Sequence, residues 1–365
     1  MHILFVGSTQ NSTQSAWQRC ETMKLLGPTV SVLDLTALCD RGFRPLRRRI
    51  DGRAYRRQTI DEANAALFGE VLARRPDVAW IEKGLFVQPE TLAKLRAAVP
   101  GTRLVAYQDD NPFGRRGFER SLWSDFLRCI PHYDLHLVKR LADFAEFKQR
   151  GARRVELCTA GYYEPAFARI PANPPSHCDH QVTFFGTRME GRGALIRSLL
   201  WRHRLDVHVY GIRWNRSIVY HLARRRFHPP LPLEASPGYV DVIRASRINL
   251  GLVSKSNFDE YNGRSFEIPA AGGFFLAERT PTHSRLYREG VEAEFFSDER
   301  ELVEKCRYYL THEEERKAIA SAGQRRARRD DYSLTRRLRD ALAIVWEPAS
   351  LSRAWAGKAE TSAPD

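Results

Sequence analysis

In the first half of the chain, short β-branched or apolar runs alternate with longer stretches whose apolar positions recur every three or four residues. The runs fall at 3–6, 30–33, 78–81, 104–107, 135–138 and 155–157. Helical patterns occupy 12–26, 59–75, 89–99, 117–130 and 141–149. Continuous apolar strands separated by amphipathic helices predict a parallel sheet covered on both faces. The handedness rule for crossovers then makes a doubly wound layer the economical topology.

The pattern breaks where Pro165, Pro171, Pro174 and Pro175 crowd a stretch without periodicity, which reads as an interdomain linker. It restarts with strands expected at 182–187, 207–210, 248–253, 274–277 and 294–296 and helices at 193–202, 239–246 and 265–271. Three more helices begin near Asp298, Glu313 and Ser333. The predicted organisation is an N-terminal Rossmann-like domain over 1–165, a linker over 166–180 and a C-terminal Rossmann-like domain over 181–330. A terminal helix over 331–347 and a small, polar, disordered tail over 348–365 complete it. The fold class is α/β, with two doubly wound domains expected to face each other across a cleft that holds the ligands.

Composition narrows this only a little. At 365 residues, 43% hydrophobic and 28% charged, the chain suits two ordinary globular cores. No apolar run reaches the ~18 residues of a spanning helix. The opening Met1–Gly7 stretch reads as a first strand, not a signal peptide, so a cytoplasmic location is expected. The six cysteines never form a C-x-x-C pair, which points to reduced, mostly buried thiols. His177, Cys178 and His180 cluster, but a structural zinc site wants four ligands, and no metal is expected there.

The net charge of +14 favours an anionic partner: nucleic acid, an acidic membrane surface or a diphosphate. Arg47–Arg49, Arg224–Arg226, Arg325–Arg326 and Arg328–Arg329 are separate runs with no nucleic-acid motif, so nucleic acid is the weakest of these. Docking on an anionic inner membrane is compatible with them.

The chemistry concentrates in Asn262–Leu276, which reads as a polar loop, a short helix with Glu267 in its first turn, a Gly272–Gly273 exit and a strand. A helix start offers unpaired N–H groups to a phosphate. Ser265 is a candidate cap, and Glu267 a candidate acceptor for ribose hydroxyls at a solvated site. The plainer alternative is that Glu267 favours the helix dipole and the glycines make a turn. In the first half, Asp109 and Asp110 follow an apolar strand and can serve as general base for an attacking hydroxyl, one pKa being raised by its neighbour. The alternative is an Asp-Asp-Asn-Pro turn. His132 is a weaker base candidate.

The run Arg264–Gly272, with Phe274–Leu276 and Ala277–Thr280 after it, resembles the signature of the CgeB-like (spore maturation protein) glycosyltransferases, two-domain enzymes of the GT-B fold. Residues 182–187, 294–296 and 301–309 extend the likeness, and Asp109–Pro112, Tyr133–Leu135 and 148–155 carry it more loosely. The resemblance implies a glycosyltransferase, hexosyltransferase-like, moving a sugar from a nucleoside-diphosphate sugar to an unidentified acceptor in surface-glycan or glycoconjugate synthesis. It implies Glu267 on the donor's ribose, with Arg264, Ser265, Gly272 and Gly273 beside the diphosphate. Arg192 and Lys255 are the best matches for the two basic residues that neutralise it. The donor is then a substrate and no cofactor is expected. No D-x-D triplet occurs, which fits a metal-independent site. The rival within the same fold is a non-catalytic nucleotide-binding protein.

Overall fold

The computed structural model describes residues 1–42, 55–114, 120–168, 180–233 and 238–346. Arg47–Arg49, most of the expected linker with His177 and Cys178, and the expected disordered tail lie outside the described residues.

By internal contacts the chain forms two units, one of residues 1–10, 14–159 and 337 onward, the other of 11–13 and 160–336. The first unit holds strands β1 (His2–Val6), β2 (Thr29–Leu33), β3 (Val78–Glu82), β4 (Arg103–Gln108), β5 (Leu135–Val138) and β6 (Val155–Leu157). They form one parallel sheet in the order β2-β1-β3-β4-β5-β6, with Ile3 paired to both Val30 and Val78. Its helices are α1 (Ser15–Leu25), α2 (Leu35–Asp40), α3 (Arg57–Arg74), α4 (Pro89–Ala98), α5 (Arg120–Cys129) and α6 (Asp143–Gln149). The central strands are buried almost throughout, as covered parallel strands must be. Leu4, Val6, Ala79, Ile81, Leu104 and Ala106 give one face to a core shared with Leu67, Leu92, Phe126 and Phe147.

The second unit repeats the scheme with β7 (His180–Phe185), β8 (Val207–Tyr210), β9 (Phe227–His228), β10 (Ser246–Gly251), β11 (Phe275–Glu278) and β12 (Glu294–Phe296). The order is β12-β11-β10-β7-β8-β9, all parallel. Counted along the chain this is the dinucleotide-binding order, with the topological switch point between β7 and β10. The helices are α7 (Glu164–Ala168), α8 (Arg192–Arg197), α9 (Ile218–Leu222), α10 (Tyr239–Ala245), α11 (Arg264–Ala270), α12 (Pro281–Leu286), α13 (Glu299–Thr311) and α14 (Glu313–Arg329). Side chains cap several of them where the local sequence supplies an oxygen: Ser217 on Val219 N, Thr280 on His283 N and Asp298 on Glu301 N.

The last helix, α15 (Leu334–Trp346), counts with the first unit from Arg337 on. Leu338, Ala341, Leu342 and Val345 are buried there, and Arg154 Nη1 donates to Ile344 O at 2.9 Å. The strand pattern matches the expectation except at β9, a two-residue edge strand that no run announces. The helix expected at 193–202 ends at Arg197 and continues as a π-type turn, Ser198–Arg202. Cys20, Cys39, Cys129, Cys158 and Cys306 are free and buried, as expected for reduced thiols.

Candidate functional site

Open parallel sheets bind ligands outside the carboxyl ends of their strands, at the switch point. In the second unit the loops that leave β7 and β10 meet there. Arg192 ties them together: Nη1 donates to Thr187 O at 3.1 Å, and Nη2 to Leu252 O and Val253 O at 3.2 and 3.3 Å. Burial pulls its pKa down, against the attraction of Glu190 and Glu278. Its Nε is buried and makes no hydrogen bond, and the same is true of Nε in Arg188 and Arg264. Asn262 Nδ2 donates to the same Leu252 O at 3.0 Å, which brings the start of α11 to this point. Arg192 and Arg264, close enough for their charges to act on each other, bring unused donors to this switch point, Arg188 carries another in the loop after β7, and such donors suit an anion.

Glu267 lies in this region and is 6% exposed. Its Oε2 accepts the Tyr239 hydroxyl at 2.7 Å and lies 3.8 Å from Arg264 Nε, whose guanidinium lies 5.9 Å from the Tyr239 ring centroid. Burial pushes the Tyr239 pKa well up and the Glu267 charge adds to this, so the phenol is a firm donor. A Cβ on Gly263 would stand 3.2 Å from Glu267 Oε1, so glycine there leaves that oxygen approachable. The expected solvated carboxylate is therefore a buried one with a fixed partner, because α10 brings Tyr239 over it.

Two further expectations fail at α11. Ser265 does not cap it, since the N-cap is Gly263, without a side-chain bond. The Ser265 hydroxyl is buried, hydrogen-bonded to His283 Nε2 at 2.8 Å, and accepts from Asn262 N at 3.1 Å. His283 Nδ1 meets Glu278 O at 2.7 Å, and burial lowers its pKa to about 4, so the imidazole is neutral. Nor does the seven-residue helix present free N–H groups to a phosphate. Arg264 N donates to Asn262 Oδ1, Ser265 N to Asn262 O, and Phe266 N and Glu267 N to Gly263 O. Gly272 and Gly273 do form the tight exit. Gly272 has φ +81°, and Gly273 N donates to Ile268 O at 3.0 Å. A Cβ on Gly273 would stand 2.5 Å from Ile243 Cγ2.

Lys255 sits in the loop after β10 with its side chain 81% exposed and Nζ 3.7 Å from Glu278 Oε1. The residue that organises this loop is one sequence reasoning missed. Glu190, at φ +52°, accepts from Ser254 Oγ at 2.8 Å, Ser256 Oγ at 2.6 Å, Ser256 N at 3.2 Å and Lys255 N at 3.0 Å. Burial alone would raise its pKa, but these donors outweigh burial and bring it to about 2. Arg188 was missed as well. Both lie in the charged stretch Arg188–Arg192 just after a strand, which is the one local signal for them.

In the first unit Asp109 and Asp110 follow β4, as expected, but in a network of charges. Lys83 Nζ lies 2.5 Å from Asp110 Oδ2 and 3.6 Å from Asp109 Oδ1. Arg19 Nη2 lies 3.4 Å from Asp109 Oδ2 and 2.5 Å from Glu82 Oε2. Burial favours the neutral Asp109, yet Lys83 and Arg19 prevail over burial and over the Asp110 charge, holding its carboxyl below the usual range. The expected upward shift is thus reversed for Asp109. Asn111 makes the turn, its Oδ1 accepting Phe113 N and Gly114 N at 2.8 and 3.1 Å. His132 precedes β5 and so stands at the amino ends of the strands, the end opposite the aspartates. Its carbonyl accepts Arg96 Nη2 at 2.8 Å.

Residues 192–343 match the family model described as glycosyl transferase-like, and this part of the chain is a glycosyltransferase-like domain. No curated protein matches the chain in sequence. Among solved structures, sucrose-phosphate synthase from Thermosynechococcus elongatus superposes with a TM-score of 0.66 at 10% identity, over 95% of this chain and 99% of that one. The α,α-trehalose-phosphate synthase (UDP-forming) from Burkholderia xenovorans, in complex with glucose-6-phosphate, gives 0.64 at 13% identity over 95% and 100%. Anabaena Alr3699/HepE in complex with UDP-glucose gives 0.61 at 14% identity over 94% and 99%. The fold of this chain is the two-domain GT-B fold of those structures.

Proposed function

We propose that the protein is a glycosyltransferase that takes a sugar from a nucleoside-diphosphate sugar, with UDP as the first candidate nucleotide, and passes it to a hydroxyl acceptor in glycan or glycoconjugate synthesis. The observation that carries this reading is the unused buried Nε of Arg264 beside the Glu267–Tyr239 pair, with those of Arg192 and Arg188 in the stretch after β7. The likeness to the UDP-glucose complex of HepE supports the donor class. In this reading Arg188, Arg192 and Arg264 oppose the charge that builds on the departing diphosphate, a task other transferases give to a metal ion. Transfer is accordingly metal-independent and needs no cofactor. Lys255 adds a mobile cation at the rim. Glu267 accepts the ribose hydroxyls, while Ser265, Gly272 and Gly273 shape the wall behind it.

Asp109 and Asp110 serve the acceptor. The depressed Asp109 carboxyl suits a hydrogen bond that orients a hydroxyl and takes its proton only as the new glycosidic bond forms. The Arg264–Gly272 run supports placing the chain among the CgeB-like transferases. A cytoplasmic site of action, peripheral to an anionic membrane, agrees with two observations. Among the described residues no helix is long and apolar enough to cross a membrane. Around α9, Ile212, Ile218 and Leu222 are 51%, 63% and 68% exposed, in a span from 207 to 233 that contains Arg213, Arg216, Arg224 and Arg225 and no acidic residue.

Calorimetric titration tests the donor reading. UDP is expected to bind at least about tenfold more tightly than UMP, because charge-assisted bonds to the second phosphate are worth about 1.5–3 kcal/mol each. Equal affinities for UDP, UMP and uridine, or none for any nucleoside diphosphate, would sink it.

A further inference from the structure

Three imidazoles meet on neighbouring strands of the second unit. His180 opens β7, His208 lies within β8 and His228 closes β9. His208 Nδ1 and His228 Nε2 stand 3.0 Å apart, the His180 ring lies over that of His208 with centroids 3.6 Å apart, and one nitrogen from each falls within 4.8 Å of the other two. We propose that His180, His208 and His228 bind a late first-row divalent cation, zinc foremost, and that the ion ties β7, β8 and the edge strand β9 together. This goes beyond the transfer reading and does not rest on it.

The donor set is the first argument. Neutral imidazole is a preferred ligand of zinc and its neighbours, and three histidines leave a fourth position for water or an outside ligand. Spacing is the second. Zinc–nitrogen bonds of about 2.0–2.1 Å at tetrahedral angles hold ligand nitrogens roughly 3.3 Å apart. The His208–His228 pair is already close to that value. His180 has to swing inward by on the order of 1 Å, a movement within reach of a side-chain rotation.

The surroundings are the third argument. His208 and His228 are only partly exposed, and their rings lie side by side with centroids 5.3 Å apart. Two neutral nitrogens 3.0 Å apart need a proton between them, and a cation takes the place of that proton. Asp206 Oδ1 lies 3.3 Å from His208 Nε2, and a carboxylate in this position is a frequent partner of a metal-bound histidine. His180 Nε2 meets the Tyr210 hydroxyl at 2.9 Å, which orients the ring. Arg226 Nη1 lies 3.2 Å from His208 Nε2, and its charge is paired with Asp206. The sequence groups His180 with His177 and Cys178, which lie outside the described residues; the folded sheet sets it beside His208 and His228.

The test uses the full chain, stripped by a chelator and titrated with Zn²⁺ against a chromophoric competitor. One equivalent is expected to bind and to raise the melting temperature by several degrees. Co²⁺ in the same site is expected to show the strong visible absorption of a tetrahedral ion. His208→Gln, His228→Gln and His180→Gln are each expected to weaken binding at least tenfold, while His177→Gln and Cys178→Ser leave it unchanged. The metal-free melting curve of each variant checks its fold, and His228→Gln on the edge strand keeps the test open if a central-strand variant is unstable. Absence of stoichiometric zinc, binding that survives all three substitutions, or loss of binding on removing His177 or Cys178 overturns the proposal.

Discussion

The two units are built on the same scheme, yet they use charge at their strand ends in opposite ways. In the first, Arg19, Glu82, Lys83, Asp109 and Asp110 lie on or after α1, β3 and β4 and neutralise one another within the unit. Arg19 and Glu82 are 6% and 5% exposed in their side chains, and Trp80 Nε1 also donates to Glu82 at 2.8 Å. In the second, Arg188, Arg192 and Arg264 keep buried Nε atoms that make no hydrogen bond, and Glu267, 3.8 Å from Arg264 Nε, is held by Tyr239. The first network spends its cations on its own carboxylates and leaves only an acceptor atom, Asp109 Oδ1, without a hydrogen bond. The second keeps donor atoms for an anion.

The most severe test of this contrast is Arg19→Met. Removing one partner of a buried ion pair leaves the other charge uncompensated and costs about 3–5 kcal/mol. Chemical denaturation is expected to show a loss of that size, with most of it recovered in Arg19→Met/Glu82→Gln, where the neutral amide still accepts from Trp80. Nucleotide affinity is expected to stay within about twofold of wild type. If UDP binding disappears in a folded Arg19→Met protein, the first unit's network takes part in holding the donor and the contrast fails.

Glu267→Gln probes the other side with a smaller effect. The amide oxygen still accepts from Tyr239, so stability is expected to fall by about 1 kcal/mol or less. Losing the charge weakens two hydroxyl contacts to the ribose, and donor affinity is expected to drop about tenfold, at 1.4 kcal/mol per decade. Calorimetry with UDP on a variant of unchanged melting temperature reads this directly. Unchanged affinity would return Glu267 to the role of a buried structural acceptor for Tyr239.

These tests bear on features of unequal legibility. The parallel sheets could be read from the chain because covered strands such as Val78–Ile81 and Leu104–Tyr107 are unbroken apolar runs with turn residues around them. Phe227–His228 could not, since two residues ending in histidine carry no period and become a strand only by pairing with Val209–Tyr210. Arg264 and Glu267 were legible as a motif, but their environment was not. Tyr239 comes from 28 residues away, and the Ser265 hydroxyl faces His283 because α12 packs there. One of the Asp109–Asp110 pair was expected to be raised by its neighbour, and Asp109 is lowered because Lys83 and Arg19 arrive from other elements. Partners set by tertiary contact decide what each charged group does, and they leave no trace in local spacing.

Glu190 gives the smallest effect and the sharpest sign. Its carboxylate gathers Ser254, Lys255 and Ser256 at the switch point, so part of the second unit's charge does serve the fold. The folded pKa, about 2, lies below the ordinary carboxylate value of 4.5. The folded state therefore binds this proton less readily than the unfolded chain. The stabilisation is fully present above about pH 4.5 and is lost as pH falls toward 2. Glu190 is an exposed residue, so solvent screening reduces the contribution to about 1 kcal/mol or less. Denaturant midpoints of wild type and Glu190→Gln are expected to differ at pH 7 and to converge between pH 4.5 and 2. Taking the difference between the two proteins removes the other carboxylates that titrate in that range. A gap that persists undiminished at low pH would mean that the glutamine lost packing, not charge, and that the loop is held by something other than the Glu190 carboxylate.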